Sequence, residues 1–253
     1  MKIRFQCKNC RQINNPDNIQ IELPISDELY YEFECHKGHK NKVLVQNKKY
    51  DLLFESGLHA MLDGYNREAV SSFAVALERF YEYIISIALV YENGFSFDVL
   101  ENFKKEVKLS ERLYGVFCSI YLLKFKKVLE PFNNKFLKTI DVSFPKFDNQ
   151  PVKFRNKIIH EGYIPTYQET LNYGIAISKY IKKITEEFRA TNPNLFFNFM
   201  VTIANDFKKV EPDPNVSNFF FQTFISSIQK TELELDKYLP ILEKERNRPL
   251  KNN

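Results

Sequence analysis

Two groups of residues in this chain have the types and spacings that chemistry needs. Cys7 and Cys10 form a C-x-x-C pair, and Cys35, His36 and His39 follow well downstream. Two thiolates from one turn, with a Cys and a His from another, make the tetrahedral donor set that zinc prefers; His36 or His39 is the nitrogen ligand. Four protein ligands leave no open position for water, so a metal held this way is structural. The second group is the run Phe154-Arg155-Asn156-Lys157-Ile158-Ile159-His160-Glu161-Gly162. A histidine can give or take a proton near neutral pH, and an arginine can hold a phosphate by two hydrogen bonds. Asn156 and His160 stand four apart and share a helical face, which places the amide to orient the imidazole. Arg155 and His160 would leave an unbroken helix about 140° apart, at roughly 100° per residue. They converge only where the helix ends near His160, an ending that Gly162 and Pro165 predict.

Composition bounds what these groups can serve. With 253 residues, 44% of them hydrophobic, the chain is long enough for a buried core, and 24 Phe and 14 Tyr supply large side chains to fill it. Only seven glycines argue against a glycine-rich phosphate loop. A net charge of +4 permits an anionic partner without demanding one. Four cysteines are too few and too unevenly placed for a disulfide scaffold. No apolar run approaches the roughly 20 residues of a spanning helix, and Met1-Lys2-Ile3-Arg4 leads into Cys7 without an apolar stretch. The expectation is a cytoplasmic, reducing setting with no membrane partner, where paired cysteines point to metal before disulfide.

The elements that must position the two groups divide the chain in three. Residues 1–49 read as a small β module: Asn14 to Asp17 predicts a turn, Ile19, Ile21 and Leu23 alternate at period two, and Tyr31/Phe33 and Val43/Val45 repeat the pattern. Gly38 lets the second cysteine loop turn tightly. Residues 50–190 are helical in period. A first helix carries Leu52 to Leu62, and a break at Gly64 leads to a long one through Val70, Phe73, Leu77, Phe80, Ile84 and Ala88. Further helices are predicted from Asp98 to Val107 and from Glu111 to Leu129, the latter stopped by Pro131. Another opens at Pro151, and one is capped by Thr166 with Glu169. Residues 191–253 are expected to be a helical extension interrupted at Pro212 and Pro214 and frayed after Glu243. Its Phe196, Phe197, Phe199, Phe219, Phe220 and Phe221 are expected to pack rather than stay exposed. His59 and Cys118 read as core or boundary residues. The fold class is therefore mainly α, a helical bundle with a small β head.

Two resemblances sharpen this reading. Cys35, Gly38 and His39 resemble the second knuckle of a zinc ribbon, which selects Cys7, Cys10, Cys35 and His39 as the ligands of a structural Zn2+. Lys37, Lys40, Lys42, Lys48 and Lys49 around that knuckle are candidates for touching nucleic acid. Arg155-Asn156-x-x-x-His160, at a helix end with a long amphipathic helix upstream, resembles the R-x(4-6)-H motif of the HEPN family over roughly residues 50–190. The resemblance implies a HEPN-like bundle acting as a homodimer, two motifs facing one another, and metal-independent cleavage of RNA by a toxin or phage-defence effector. It also implies an antitoxin or other regulatory protein as partner, and carries Glu78 on the long helix into the site beside Arg155, Asn156 and His160. RNA brings its own nucleophile, the 2′-OH, so such an enzyme needs a base, an acid and charge stabilisation at phosphorus. A two-fold axis supplies the second histidine. The products would carry 2′,3′-cyclic phosphate and 5′-OH ends. Lys153, Lys157, Lys124, Lys126 and Lys127 are candidates for tracking the phosphate backbone. The alternative is a non-catalytic HEPN-like module that binds nucleic acid or protein.

Overall fold

Alternation builds the head. The computed structural model describes residues 1–10, 20–210, 213, 215–229 and 231–248. Strand β1 (Lys2–Gln6) turns Ile3 and Phe5 inward and pairs antiparallel with β2 (Gln20–Pro24), Phe5 opposite Ile21. Strand β3 (Tyr30–Glu34) pairs antiparallel with β4 (Lys40–Val45), Tyr31 opposite Val43. Ile3, Phe5, Tyr31, Val43 and Val45 form a small apolar core of their own. The turn predicted at Asn14 to Asp17, and the strand position of Ile19, lie outside the described residues.

The helical body is a larger core. Helices α1 (Lys49–Leu62) and α2 (Asn66–Ser86) pack along one another, and α2 continues as a π-helical turn, Ile87–Glu92. Helix α3 (Phe97–Glu106) lies within a residue of its predicted bounds. Helix α4 (Ser110–Phe125) ends before its predicted stop, because Lys126 adopts a left-handed conformation with φ 55° that closes it ahead of Pro131. A short α5 (Asn134–Thr139) follows, which periodicity over so few residues does not announce. Helix α6 (Pro151–Glu161) has proline in its first turn, and α7 (Tyr167–Thr191) opens with the Thr166–Glu169 capping box. Around α2 are arranged α1, α4, α6 and α7, so the central helix is buried by partners on several sides.

The C-terminal part corrects the helical expectation. After α8 (Leu195–Val210), Val216–Phe219 forms strand β5, which joins the head in parallel beside β4, Val45 opposite Phe219. The reason is apolar demand from a distant partner: the Phe219 ring packs tilted against Phe5 at a ring separation of 5.2 Å and completes a core too small to close by itself. Pro212 and Pro214 lie outside the described residues. The buried Asn47 amide secures the join, donating to the carbonyl of Phe221 at 2.8 Å and accepting from its N–H at 3.1 Å. Two further helices, α9 (Phe224–Ile228) and α10 (Leu235–Arg246), return to the body. Instead of fraying after Glu243, α10 persists to Arg246. Arg4 donates to the carbonyls of Glu245 and Arg246, and Arg246 pairs with Asp63 at 2.7 Å. Of the aromatic cluster, Phe196 and Phe199 are buried, while Phe219 and Phe221 pack on the head; Phe197 and Phe220 stay exposed, against expectation.

Glu55 ties α1 to both returning helices. Its carboxylate, 3% exposed, accepts from the backbone N–H at Phe224 and from the Tyr238 hydroxyl, each at 2.9 Å. Burial pushes its pKa from 4.5 up to about 7, against the pull of those two donors. Between these values the folded protein holds a proton that the unfolded chain has lost. Stability from this group is therefore full at acid pH and falls as pH rises through the window. Glu55→Gln removes the ionisation while keeping an acceptor. In urea unfolding the variant should gain on the parent by on the order of 2–3 kcal/mol between pH 4.5 and pH 8. A gap that does not change with pH would contradict this.

Candidate functional site

The first candidate group comes together in the head. Cys7 follows β1 directly and Cys10 closes the next turn, while Cys35 follows β3 and His39 precedes β4. Gly38, at φ 78°, makes the second turn possible, with its N–H donating to the carbonyl of Cys35 at 2.8 Å. The Nδ1 atom of His39 lies 3.3 Å from Cys10 Sγ, 3.5 Å from Cys35 Sγ and 3.7 Å from Cys7 Sγ; Cys10 Sγ is 3.9 Å from Cys35 Sγ. All four donor atoms fall within 4.8 Å of one another. A tetrahedral ion with metal–sulfur bonds of about 2.3 Å and metal–nitrogen bonds of about 2.0 Å requires sulfur–nitrogen edges of roughly 3.5 Å and sulfur–sulfur edges of roughly 3.8 Å. The measured separations bracket that requirement, so these four residues could hold a metal ion. His36 is exposed and outside the group, so the nitrogen donor is His39.

Asn41 is the residue that spacing alone overlooks. Its side-chain amide donates to Cys7 Sγ at 3.4 Å and to the carbonyl of His39 at 2.9 Å, and its carbonyl oxygen accepts from the N–H of Lys8 at 3.0 Å. One side chain thus spans both ligand loops. The signal was present: Asn41 shares the inward face of β4 with Val43 and Val45, where a buried amide needs a reason. Burial acts to raise the Cys7 pKa, but the donors from Asn41 and from the backbone at Cys10 and Asn9 outweigh it and bring the thiol down to about 6. Cys10, buried against the thiols of Cys7 and Cys35, is pushed up to about 11. A cation at the centre favours the thiolate at both positions.

The second candidate group is partly assembled. Phe154 and Ile158 bury one side of α6, Ile159 is half-buried, and Gly162 ends the helix at φ 73°. Arg155 Nη2 reaches Glu78 Oε1 on α2 at 3.3 Å, and Arg155 Nη1 donates to the Asn156 carboxamide oxygen at 3.0 Å. Glu78, Arg155 and Asn156 therefore meet. His160 does not join them. The helix runs through it to Glu161, so the two side chains leave the axis about 140° apart, and His160 is exposed. The Asn156 carbonyl oxygen is taken by Arg155, and among the described residues His160 makes no hydrogen bond.

The flanking lysines are mostly engaged. Lys153 pairs with Asp148, Lys157 with Glu161, Lys124 with Glu92 and Lys127 with Glu187. In the head Lys42 bonds Asp213 and Lys49 pairs with Asp27. Lys48 faces Met200 and the Phe220 ring rather than the metal knuckle. His59 is half-buried on α1, its pKa lowered to about 4 by burial, and Cys118 is half-buried on α4; both are boundary residues. Among the described residues no helix is long and apolar enough to cross a membrane.

No family model, no curated protein and no solved structure matches the chain. The four-donor cluster and the Arg155–Glu78 pair must therefore be weighed on their own geometry. The cluster makes a direct demand: purified protein should carry one metal ion per chain by elemental analysis, and Cys35→Ser should lose it along with head stability. Asn41→Ala, which keeps all four ligands, should weaken metal affinity by about 10–100-fold in chelator competition. Unchanged affinity would show that the amide does not orient the ligands.

Proposed function

We propose that this protein is a homodimeric, metal-independent endoribonuclease of HEPN type whose head is stapled by a structural Zn2+. The observation that carries the reading is the meeting of an acidic residue on the long helix, Glu78, with Arg155 of the R-x4-H motif, while His160 stays exposed. Arg155 held by Glu78 presents a guanidinium to the non-bridging oxygens of a phosphodiester. His160 of one protomer takes the proton from the 2′-OH, whose oxygen attacks phosphorus. The 5′ oxygen leaves with a proton from the second protomer's histidine, giving a 2′,3′-cyclic phosphate and a 5′-OH. A second copy suits the surroundings: Val152, Asn156 and His160 follow one another along the exposed side of α6, with Ile164 (78% exposed) and Tyr167 just beyond. Apolar side chains left open beside a polar pair favour burial against another chain. Zinc is the ion of choice for three thiolates and one imidazole in a closed tetrahedron, and it leaves the chemistry to the side chains of the body. Such an activity suits a toxin or phage-defence effector in the cytoplasm, kept in check by an antitoxin or other regulatory protein.

A second reading draws on the absence of an orienting partner for His160 and on the ion-paired lysines around it: a non-catalytic HEPN-like module that binds nucleic acid or protein. One experiment separates the two. Structured and single-stranded RNAs are incubated with the parent, His160→Ala and Arg155→Gln, and the ends of any products are identified. Cyclic-phosphate ends, a loss of about 100-fold or more in either variant, and survival of cutting through brief chelation are expected. Ile164→Asp should give monomers in sedimentation and lose cutting with them. Equal cutting by parent and His160→Ala overturns the catalytic assignment. RNA binding without cleavage by the parent selects the second reading.

A further inference from the structure

A cavity of about 590 Å³ lies where the head-to-body linker, α7, α8 and the segment from β5 into α9 converge, away from both groups described above. That volume is within the range of small-ligand sites. Two cations line it, Lys48 from the linker and Arg189 from α7. Among the described residues neither makes an ion pair. The Lys48 ammonium has the Met200 sulfur at 2.8 Å and the face of Phe220 at 5.4 Å, and burial holds its pKa down against the pull of Asp51, with the repulsion of Arg189 adding to the effect. Arg189 donates only to the carbonyl and side-chain oxygens of Gln229, at 3.4 and 3.3 Å, and lies over the Phe196 ring. Asp51 in the same cavity is a single acid acting on Lys48, so two positive groups outnumber one carboxylate and the balance of charge favours an anion.

The walls say what else the anion carries. Phe197 and Phe220, 62% and 49% exposed, line the cavity with open rings, although large apolar side chains nearby are buried. Flat rings left open offer stacking surfaces for another ring. Asp51 and Thr185, 3% and 2% exposed, also line the cavity, and among the described residues Asp51 Oδ1 and Thr185 Oγ1 have no hydrogen-bond partner. Buried acceptors without donors are rare in folded proteins and ask for a ligand that brings N–H groups. A simple inorganic anion would leave the rings and acceptors unused, and a fatty acid would leave the acceptors unused.

We infer that this cavity binds a nucleoside monophosphate unit, free or at the end of a strand, with its phosphate on Lys48 and Arg189. Its base lies against Phe197 and Phe220, and its amino edge is offered to Asp51 and Thr185. The inference stands on its own residues and uses nothing of the ribonuclease reading. It is tested by calorimetric titration of the full-length protein with the four ribonucleoside 5′-monophosphates, adenosine, inorganic phosphate and a 5′-phosphorylated trinucleotide. At least one mononucleotide should saturate at one per chain, with AMP, GMP and CMP ahead of UMP, which lacks an exocyclic amine. Adenosine should bind at least about tenfold more weakly than AMP. Lys48→Gln and Arg189→Gln should each cost about tenfold or more, and Phe197→Ser should weaken the nucleotide while leaving phosphate unaffected. Zinc content and melting temperature like the parent's certify that the variants are folded. A trinucleotide that binds more tightly than the mononucleotide identifies a strand end as the source of the unit; weaker binding identifies a free nucleotide. No saturation by any mononucleotide at millimolar concentration overturns the inference. So does binding unchanged in both cation variants, or phosphate alone matching the nucleotides.

Discussion

The double hydrogen bond between the Asn47 side chain and the backbone of Phe221 joins the linker after β4 to the segment after β5. It lies just beyond the last pair of the β4–β5 ladder, where the head would otherwise part from the body. A buried amide with both its functions satisfied is worth more than its net contribution in water, because losing it leaves two backbone groups and a carboxamide unpaired. Through it the segment after β5 is aligned with the linker that leads into α1. That alignment sets Lys48 beside Phe220, and so defines one wall of the cavity between head and body.

The head has a borrowed strand along its edge, and at one end of its strands a four-donor cluster that would add a second support on holding an ion. Either alone would be a thin support for so small a core. The four donors bring the two loops together, and Asn41 couples them by contacting Cys7 on one and His39 on the other. The borrowed strand closes the open side of β4 and brings Phe219 onto Phe5, which an isolated module of this size could not supply. Arg4 adds a third tie, using its guanidinium to satisfy carbonyls at the last turn of α10, where a cation also meets the negative end of the helix dipole.

Legibility in the sequence followed the range of the interactions. Helix α7 was readable because its cap, its apolar spacing and its stop are all local, and Thr166, Glu169 and Ile177 lie where their own turns put them. The Cys-x-x-Cys pair and the later knuckle were readable for the same reason: each half is set by a tight turn, and the donor types leave few other uses. The choice of His39 over His36 became definite only in three dimensions, with Nδ1 near three sulfurs. Strand β5 was not readable. Val216 to Phe219 is a strand because β4 has an unpaired edge, and that edge is a property of a partner far away in the chain. In α6 the ending was legible and its consequence was not, since the helix still includes His160 and keeps it about 140° around the axis from Arg155.

By itself the sequence determined what depends on neighbours within a turn or two: the helical periods, the caps, the alternation of the head strands, and the donors Cys7, Cys10 and Cys35 with a histidine beside them. Those features rest on backbone geometry and side-chain chemistry that are the same in any surroundings. Tertiary structure decided which of these pieces touch. It put Glu78 on Arg155 across two helices and gave the head a strand from the other end of the chain. It brought Lys48 and Arg189 into one cavity, neither of them in an ion pair among the described residues. Such pairings come from the packing of surfaces distant in sequence, where the free energy lies in shape and desolvation that no local spacing encodes.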